Sequence, residues 1–230
     1  MIVYGRNPVR EALRGKRSVS RVWATERAAR EDWLRGANPE IVAEAELEEM
    51  CGSREHQGVC AEASEYPYAD ALDLLAADDA LVVCLDQVQD PHNLGAVCRV
   101  AESAGVAGVV IGERRSAQVT PAVCKASAGA VEHLSVARVR NVADILAAAT
   151  EAGCWCYGAA AEGGESYLQP DYSGGCVLVI GAEGRGLRPR VAAACDQLVA
   201  LPLRGHVQSL NASAAAAALL YGILQKRTGA

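Results

Sequence analysis

The chain has 230 residues, of which 51% are hydrophobic and only 4% aromatic; Phe is absent and the net charge is −6. That length allows one large domain or two small ones, with a core built from Ala, Val, Leu and Ile. No apolar run approaches the roughly 20 residues that span a bilayer, and Met1 to Pro8 lacks the apolar stretch of a signal peptide, so a soluble, cytoplasmic protein is expected.

The nine cysteines are odd in number and lack the paired spacing of metal ligands. Most sit inside apolar runs (Cys84, Cys154, Cys156, Cys176), where a reduced Cys serves as a small hydrophobe. Neither a zinc site nor a disulfide scaffold is expected. Charge is unevenly spread. Residues 1–35 carry +5, residues 36–90 carry −13 and residues 91–230 carry +2. The basic N-terminal segment is either a solvated face or one that meets RNA.

In chain order, Asn7-Pro8 reads as an N-cap with Pro at the first helical position, opening a helix through Leu13 that Gly15 stops. Residues 21–25 read as a strand and 26–35 as an Arg/Glu-rich helix. A second strand at 40–44, a short helix at 46–50 and a third strand at 58–63 complete a small α/β unit, residues 1–63. Residues 64–79 look like a linker with a short helix.

From Ala80 the pattern is regular. Leu81-Val82-Val83-Cys84-Leu85 is continuously apolar, as a strand buried on both faces should be. A helix follows at 91–104, a strand at 108–111, helical structure at 120–130, a strand at 134–139 and a helix at 141–152 capped by Asn141. Strands at 154–159, 176–180 and 198–201 and a long Ala-rich final helix close the chain. This alternation predicts an α/β domain over 80–230 with a mostly parallel sheet covered on both sides.

Three polar loops follow buried strands, where an α/β protein keeps its site. The first, Asp86 to Gly95, leads into a helix whose buried stripe is Leu94, Val97, Cys98 and Ala101. At about 100° per residue, Arg99 projects about 150° from that stripe. It is either a solvent arginine or one that grips a phosphate or carboxylate. The second loop, Gly181-Ala182-Glu183-Gly184-Arg185-Gly186-Leu187, has three glycines that let backbone approach a ligand closely. It fits neither a Walker A loop nor a dinucleotide fingerprint. The third loop brings Ser209 and Asn211 to the start of the last helix, where N–H groups point outward. His92 and His206 also lie in loops, without a Ser/His/Asp set or a metal cluster.

Together these stretches resemble the SpoU branch of the knotted methyltransferases, the RNA ribose 2′-O-methyltransferases. The matching runs are Asn93-Leu94-Gly95 with Arg99, Ile180 to Gly186, and Leu201-Pro202-Leu203 through Ser209-Leu210-Asn211-Ala212-Ser213. The resemblance covers 80–230, with Ala212 where Val is usual. Arg114-Arg115-Ser116-Ala117-Gln118-Val119-Thr120, Tyr4-Gly5 and His56-Gln57-Gly58 are similar to the subgroup that methylates a 23S rRNA guanosine. Its small N-terminal domain is ribosomal-protein-like and binds substrate. The resemblance implies a C-terminal trefoil knot, S-adenosylmethionine (SAM) as cofactor and a homodimer. It also implies a metal-free active site of Asn93, Arg99, Glu183, Ser209 and Asn211, with Gly181, Leu201 and Leu210 holding SAM. Arg6, Arg10, Arg14, Lys16 and Arg17 are candidates for RNA-backbone contact, or a solvated helix face. A tRNA target, a resistance-conferring rRNA position and a non-catalytic RNA-binding homologue stand as alternatives.

Overall fold

The computed structural model describes residues 1–206 and 209–229. The N-terminal unit comprises β1 (Ile2–Tyr4), α1 (Arg6–Arg14), β2 (Val19–Ala24), β3 (Glu40–Ile41), α2 (Glu44–Cys51) and β4 (Val59–Ala63). Its sheet runs β1-β4-β2-β3, with β4 antiparallel to both neighbours and β2 parallel to β3. Two local expectations are corrected. The cap of α1 is Gly5 at φ +94°, so Asn7 lies inside the helix. Residues 26–35 form two single turns, Ala28–Arg30 and Asp32–Leu34, separated by an extended Glu31. Only Ala28 and Leu34 are buried there, six residues apart, which is not the three-to-four spacing that would hold a helix against a core.

The second unit comprises β5 (Leu81–Asp86), α3 (Pro91–Ser103), β6 (Gly108–Gly112), α4 (Pro121–Ala126), β7 (Val136–Val139), α5 (Val142–Glu151), β8 (Trp155–Ala159), β9 (Glu165–Ser166), β10 (Cys176–Gly181), α6 (Pro189–Ala192), β11 (Gln197–Ala200) and α7 (Ala212–Thr228). The expected α/β class is present. Its seven strands run β7-β6-β5-β10-β8-β11-β9, and every described pairing is parallel. The short β9 and α6 carry too little pattern to be read from sequence.

Alternation along β5 explains its unbroken hydrophobicity. Leu81, Val83 and Leu85 join a core with residues of α3, α4 and α7, while Val82 and Cys84 join a second core with residues of α5 and α6. Both sheet faces are therefore covered, and every residue of β5 and β6 is buried. Gly95 lets α3 sit hard against α4: a Cβ there would lie 2.5 Å from the Ala126 Cβ.

The connecting segment 64–79 is packed. Tyr66 is buried and its hydroxyl donates to Leu134 O (2.6 Å); Ala69 bridges to Ala137; Leu74 and Leu75 enter the second core. Across the seam between the two units, Arg17 and Glu132 form an ion pair with neither side chain exposed. His133 Nε2 meets Glu11 Oε2 at 2.9 Å, and Lys125 Nζ donates to Glu55 O at 2.7 Å. No helix among the described residues is long and apolar enough to cross a membrane.

Candidate active site

The site begins at two neighbouring strand ends. Gly181, last in β10, lies in register with Asp86, last in β5, so the loops leaving these strands start side by side. Asp90 caps α3 by accepting from His92 N at 2.9 Å, and Pro91 follows at the first position. That start carries Asn93 inward, leaving it 8% exposed. Its Nδ2 donates to Glu183 Oε1 at 2.9 Å. The same oxygen accepts from Ala212 N, at the N-terminus of α7, at 3.4 Å. One carboxylate oxygen therefore ties the first loop, the Gly-rich loop and the last helix together. Its charge sits where the positive end of the helix dipole favours an anion.

The Gly-rich loop closes on itself. Gly186 N donates to Ala182 O at 2.8 Å, and Gly184 and Gly186 both adopt positive φ. Gly181 is needed for closeness: a Cβ there would lie 2.2 Å from the Gly186 carbonyl carbon. Beside this loop opens a cavity of about 460 Å³, lined by Gly181, Glu183, Leu201, Ser209, Leu210 and Leu219 among others. Backbone from the loop and aliphatic side chains from the last strand and helix make a pocket of the size and character that takes a cofactor.

The expected residues fall into three groups. Gly181, Leu201 and Leu210, expected to hold cofactor, all line the cavity, as do Glu183 and Ser209. Asn93 lies just behind Glu183, and Asn211 caps α7, its Oδ1 accepting from Ala214 N at 2.7 Å. Arg99 is exposed on α3, on the side away from the core, and makes no ion pair among the described residues. Val207 and Gln208, within the third matching stretch, lie outside the described residues.

Among the basic candidates, Arg6 pairs with Glu31 (3.2 Å), while Arg10 and Arg14 share Glu11 (2.8 and 3.6 Å). Lys16 reaches Ser135 Oγ at 3.3 Å. Arg17 is a correction. Its guanidinium is fully buried against Glu132 and Ser64 O, where no phosphate can reach it. A basic residue in sequence reads the same whether solvated or serving as an internal clamp.

Sequence reasoning missed one structural pair. Asp86 is fully buried, and its carboxylate accepts from Arg188 N (2.9 Å) and Nε (2.7 Å), locking the end of the Gly-rich loop to β5. An acid ending an otherwise apolar buried strand was the available signal. Two nearby thiols are inert. Burial, with Asp86 next, pushes the Cys84 thiol up, and burial, Asp196 and Asp86 push Cys195 up to about 12. Both stay protonated at neutral pH, so neither supplies a thiolate.

Comparison with known proteins bears on this geometry. Residues 80–221 match the model of the SpoU rRNA Methylase family, and residues 2–69 match that for RNA 2′-O ribose methyltransferase substrate binding. The Bacillus subtilis protein YacO, whose name places it in the TrmH family of tRNA/rRNA methyltransferases, is 37% identical over 98% of this chain and 95% of its own. The crystal structure of the SpoU methyltransferase AviRb from Streptomyces viridochromogenes, in complex with AdoMet, superposes with a TM-score of 0.81. It shares 28% identity and covers 99% of this chain and 90% of that one. A TrmH-family structure from Porphyromonas gingivalis gives 0.78 at 28% identity, covering 96% and 88%. With the family model spanning the sheet, the Gly-rich loop and most of the last helix, the chain belongs to the SpoU rRNA methylase family.

Proposed function

We propose that this protein transfers a methyl group from SAM to a ribose 2′-hydroxyl of RNA, at a guanosine of 23S rRNA, acting in the cytoplasm as a homodimer. The observation that carries the reading is the Glu183 carboxylate, held by Asn93 and the start of α7 at the edge of the 460 Å³ cavity. The cavity fits the cofactor. Gly181 tolerates no side chain, so loop backbone forms the wall, and Leu201 and Leu210 would hold the cofactor with apolar surface. When bound, SAM supplies an activated methyl and its own leaving group.

What remains for the protein is to position the hydroxyl and take up its proton. Glu183 Oε1 is engaged by Asn93 and Ala212, which leaves Oε2 to accept the hydrogen bond of a ribose hydroxyl and, as the oxygen–methyl bond forms, its proton. Ser209, lining the same cavity, offers a second hydroxyl to that sugar. Asn211 holds the start of α7 in place through its cap. Arg99, exposed and without an ion pair among the described residues, grips the adjacent phosphate. A guanidinium carries only donors and no site to accept a proton, so its role is to fix the phosphate and orient the nucleophile.

The test is methyl transfer to rRNA from a strain lacking the mark, with the product mapped by mass spectrometry. A 2′-O-methylguanosine in 23S rRNA is expected. A methyl group found only in tRNA overturns the target and leaves the chemistry standing. Absence of SAM binding in calorimetry overturns both. Light scattering at micromolar concentration is expected to give twice the 24.0 kDa chain mass.

A further inference from the structure

A second cavity, of about 260 Å³, has no part in the roles above beyond the Asp86–Arg188 pair on its wall. It is lined by Asp86, Gln87, Arg114, Arg115, Ser116, Arg140 and Arg188, together with Gly112 and Val142. Four arginines and one aspartate line this small space, in a chain whose net charge is −6. The carboxylate is already taken, since Asp86 is bound by Arg188. Arg140 has only a long contact of 3.9 Å to the half-exposed Glu113. Arg114 and Arg115 have no ion-pair partner among the described residues. The cavity therefore presents uncompensated positive charge.

The wall is built to hold its shape. Arg115 adopts φ +55°, a left-handed conformation rare for a residue of its kind. The turn that enforces it is pinned by Gln118, whose Nε2 donates to Gly112 O (3.0 Å) and Ser116 O (3.1 Å). Ser116 also lines the cavity; its Oγ is turned inward, buried and without a hydrogen-bond partner among the described residues, as is Gln118 Oε1, so rotation about χ1 would bring the hydroxyl into the cavity. The turn is also tied to the catalytic loop: Ala117 N donates to Val88 O at 2.9 Å, five residues before Asn93. The two linings meet along the chain, where the Gly-rich loop through Leu187 lines the larger cavity and Arg188 the smaller.

We infer that this arginine-lined cavity binds a backbone phosphodiester of the RNA substrate, beside the nucleotide to be methylated. Arg114 and Arg115 supply the charge, and Ser116, its hydroxyl rotated toward the cavity, adds a donor. A phosphodiester fits better than a base edge: Arg114 and Arg115 present only N–H donors and a positive charge, which match the anionic oxygens of a phosphate. The inference rests on the proposed RNA methyltransferase activity and adds to it a fixed register between the strand and the reacting ribose.

The test uses full-length protein carrying Arg114→Ala, Arg115→Ala or Ser116→Ala, with whichever of unmodified 23S rRNA or tRNA the wild type methylates. RNA affinity is measured across a salt series, and SAM affinity by calorimetry. Each arginine variant is expected to weaken RNA binding roughly tenfold and to lower the slope of log K against log salt by about 0.7–0.9, one phosphate contact's worth. SAM affinity should be unchanged. Ser116→Ala is expected to weaken RNA binding while its melting temperature holds or rises, because a buried unpaired hydroxyl is removed; an equally large fall in melting temperature would mark a structural role and count against the site. An unchanged salt slope in both arginine variants, with methyl transfer intact, overturns the phosphate site and leaves the enzyme reading standing. Arginine-dependent binding of inorganic phosphate with RNA affinity unaffected also overturns it, in favour of a small-anion site. A wild type that neither binds nor methylates RNA overturns both readings.

Discussion

Glu183 stands among glycines, where no bulky neighbour can shield it, yet its carboxylate is positioned by Asn93 from one helix and Ala212 N from another. Removing that anchor while leaving the cavity intact should be felt in turnover more than in folding. Glu183→Ala is expected to lower the rate of methyl transfer by about 10²-fold, the scale of a misplaced reacting group. Arg99→Ala should cost a similar factor, with a melting temperature close to wild type because the side chain is exposed and makes no ion pair among the described residues. Full-rate transfer by the Arg99 variant, measured with radiolabelled SAM, would remove it from the site. Gly181→Ala puts a methyl group where the Gly186 backbone already lies, so the loop must move. We expect loss of SAM binding in calorimetry and a destabilisation of about 1–3 kcal/mol in denaturant melts.

At the scale of elements, the last helix shows one residue serving structure first. The Asn211 side chain caps α7, accepting from Ala214 N and Ser213 Oγ. Asn211→Ala should therefore cost about 1 kcal/mol of stability through the cap alone. A larger proportional loss in turnover than in stability, read from parallel melts and assays, would reveal a share in the chemistry. Elements with a periodic buried stripe were legible in advance: α3 lies within a residue of its expected bounds and buries Leu94, Val97, Cys98 and Ala101. Residues 26–35 were not legible, because Arg and Glu favour a helix that has too few apolar anchors to be held against the sheet.

At the scale of the molecule, the two units are joined through a buried charge pair and a titratable contact. Breaking a buried pair from one side leaves an unsatisfied charge, so Arg17→Met or Glu132→Leu alone should cost about 3–5 kcal/mol, while the double replacement comes near neutral. Thermal melts of the three variants check this. Glu11 answers to pH. Burial raises its carboxyl, but hydrogen bonds from His133 and Arg10 outweigh that and hold it below the ordinary 4.5. A depressed folded-state pKa means stability that is present above about 4.5 and lost as pH falls through the folded value. Wild type should therefore lose stability below that pH more steeply than His133→Ala, as read from denaturant midpoints across pH 3–6.

The amino-acid order alone determined the parallel α/β class, because strands buried on both faces must be continuously apolar, as β5 is. It also singled out the loops that carry Asn93, Glu183 and Asn211, since Gly and capping residues mark strand-to-helix turns wherever they fall. Tertiary structure alone decided which basic residues are available. Arg17 is sealed inside, whereas Arg114 and Arg115 face a cavity, because burial of a long charged side chain depends on partners 115 residues away and not on its neighbours in sequence. Likewise only the fold could bring a carboxylate at position 183 within 2.9 Å of an amide at 93, 90 positions earlier, since β5 and β10 become adjacent through pairing.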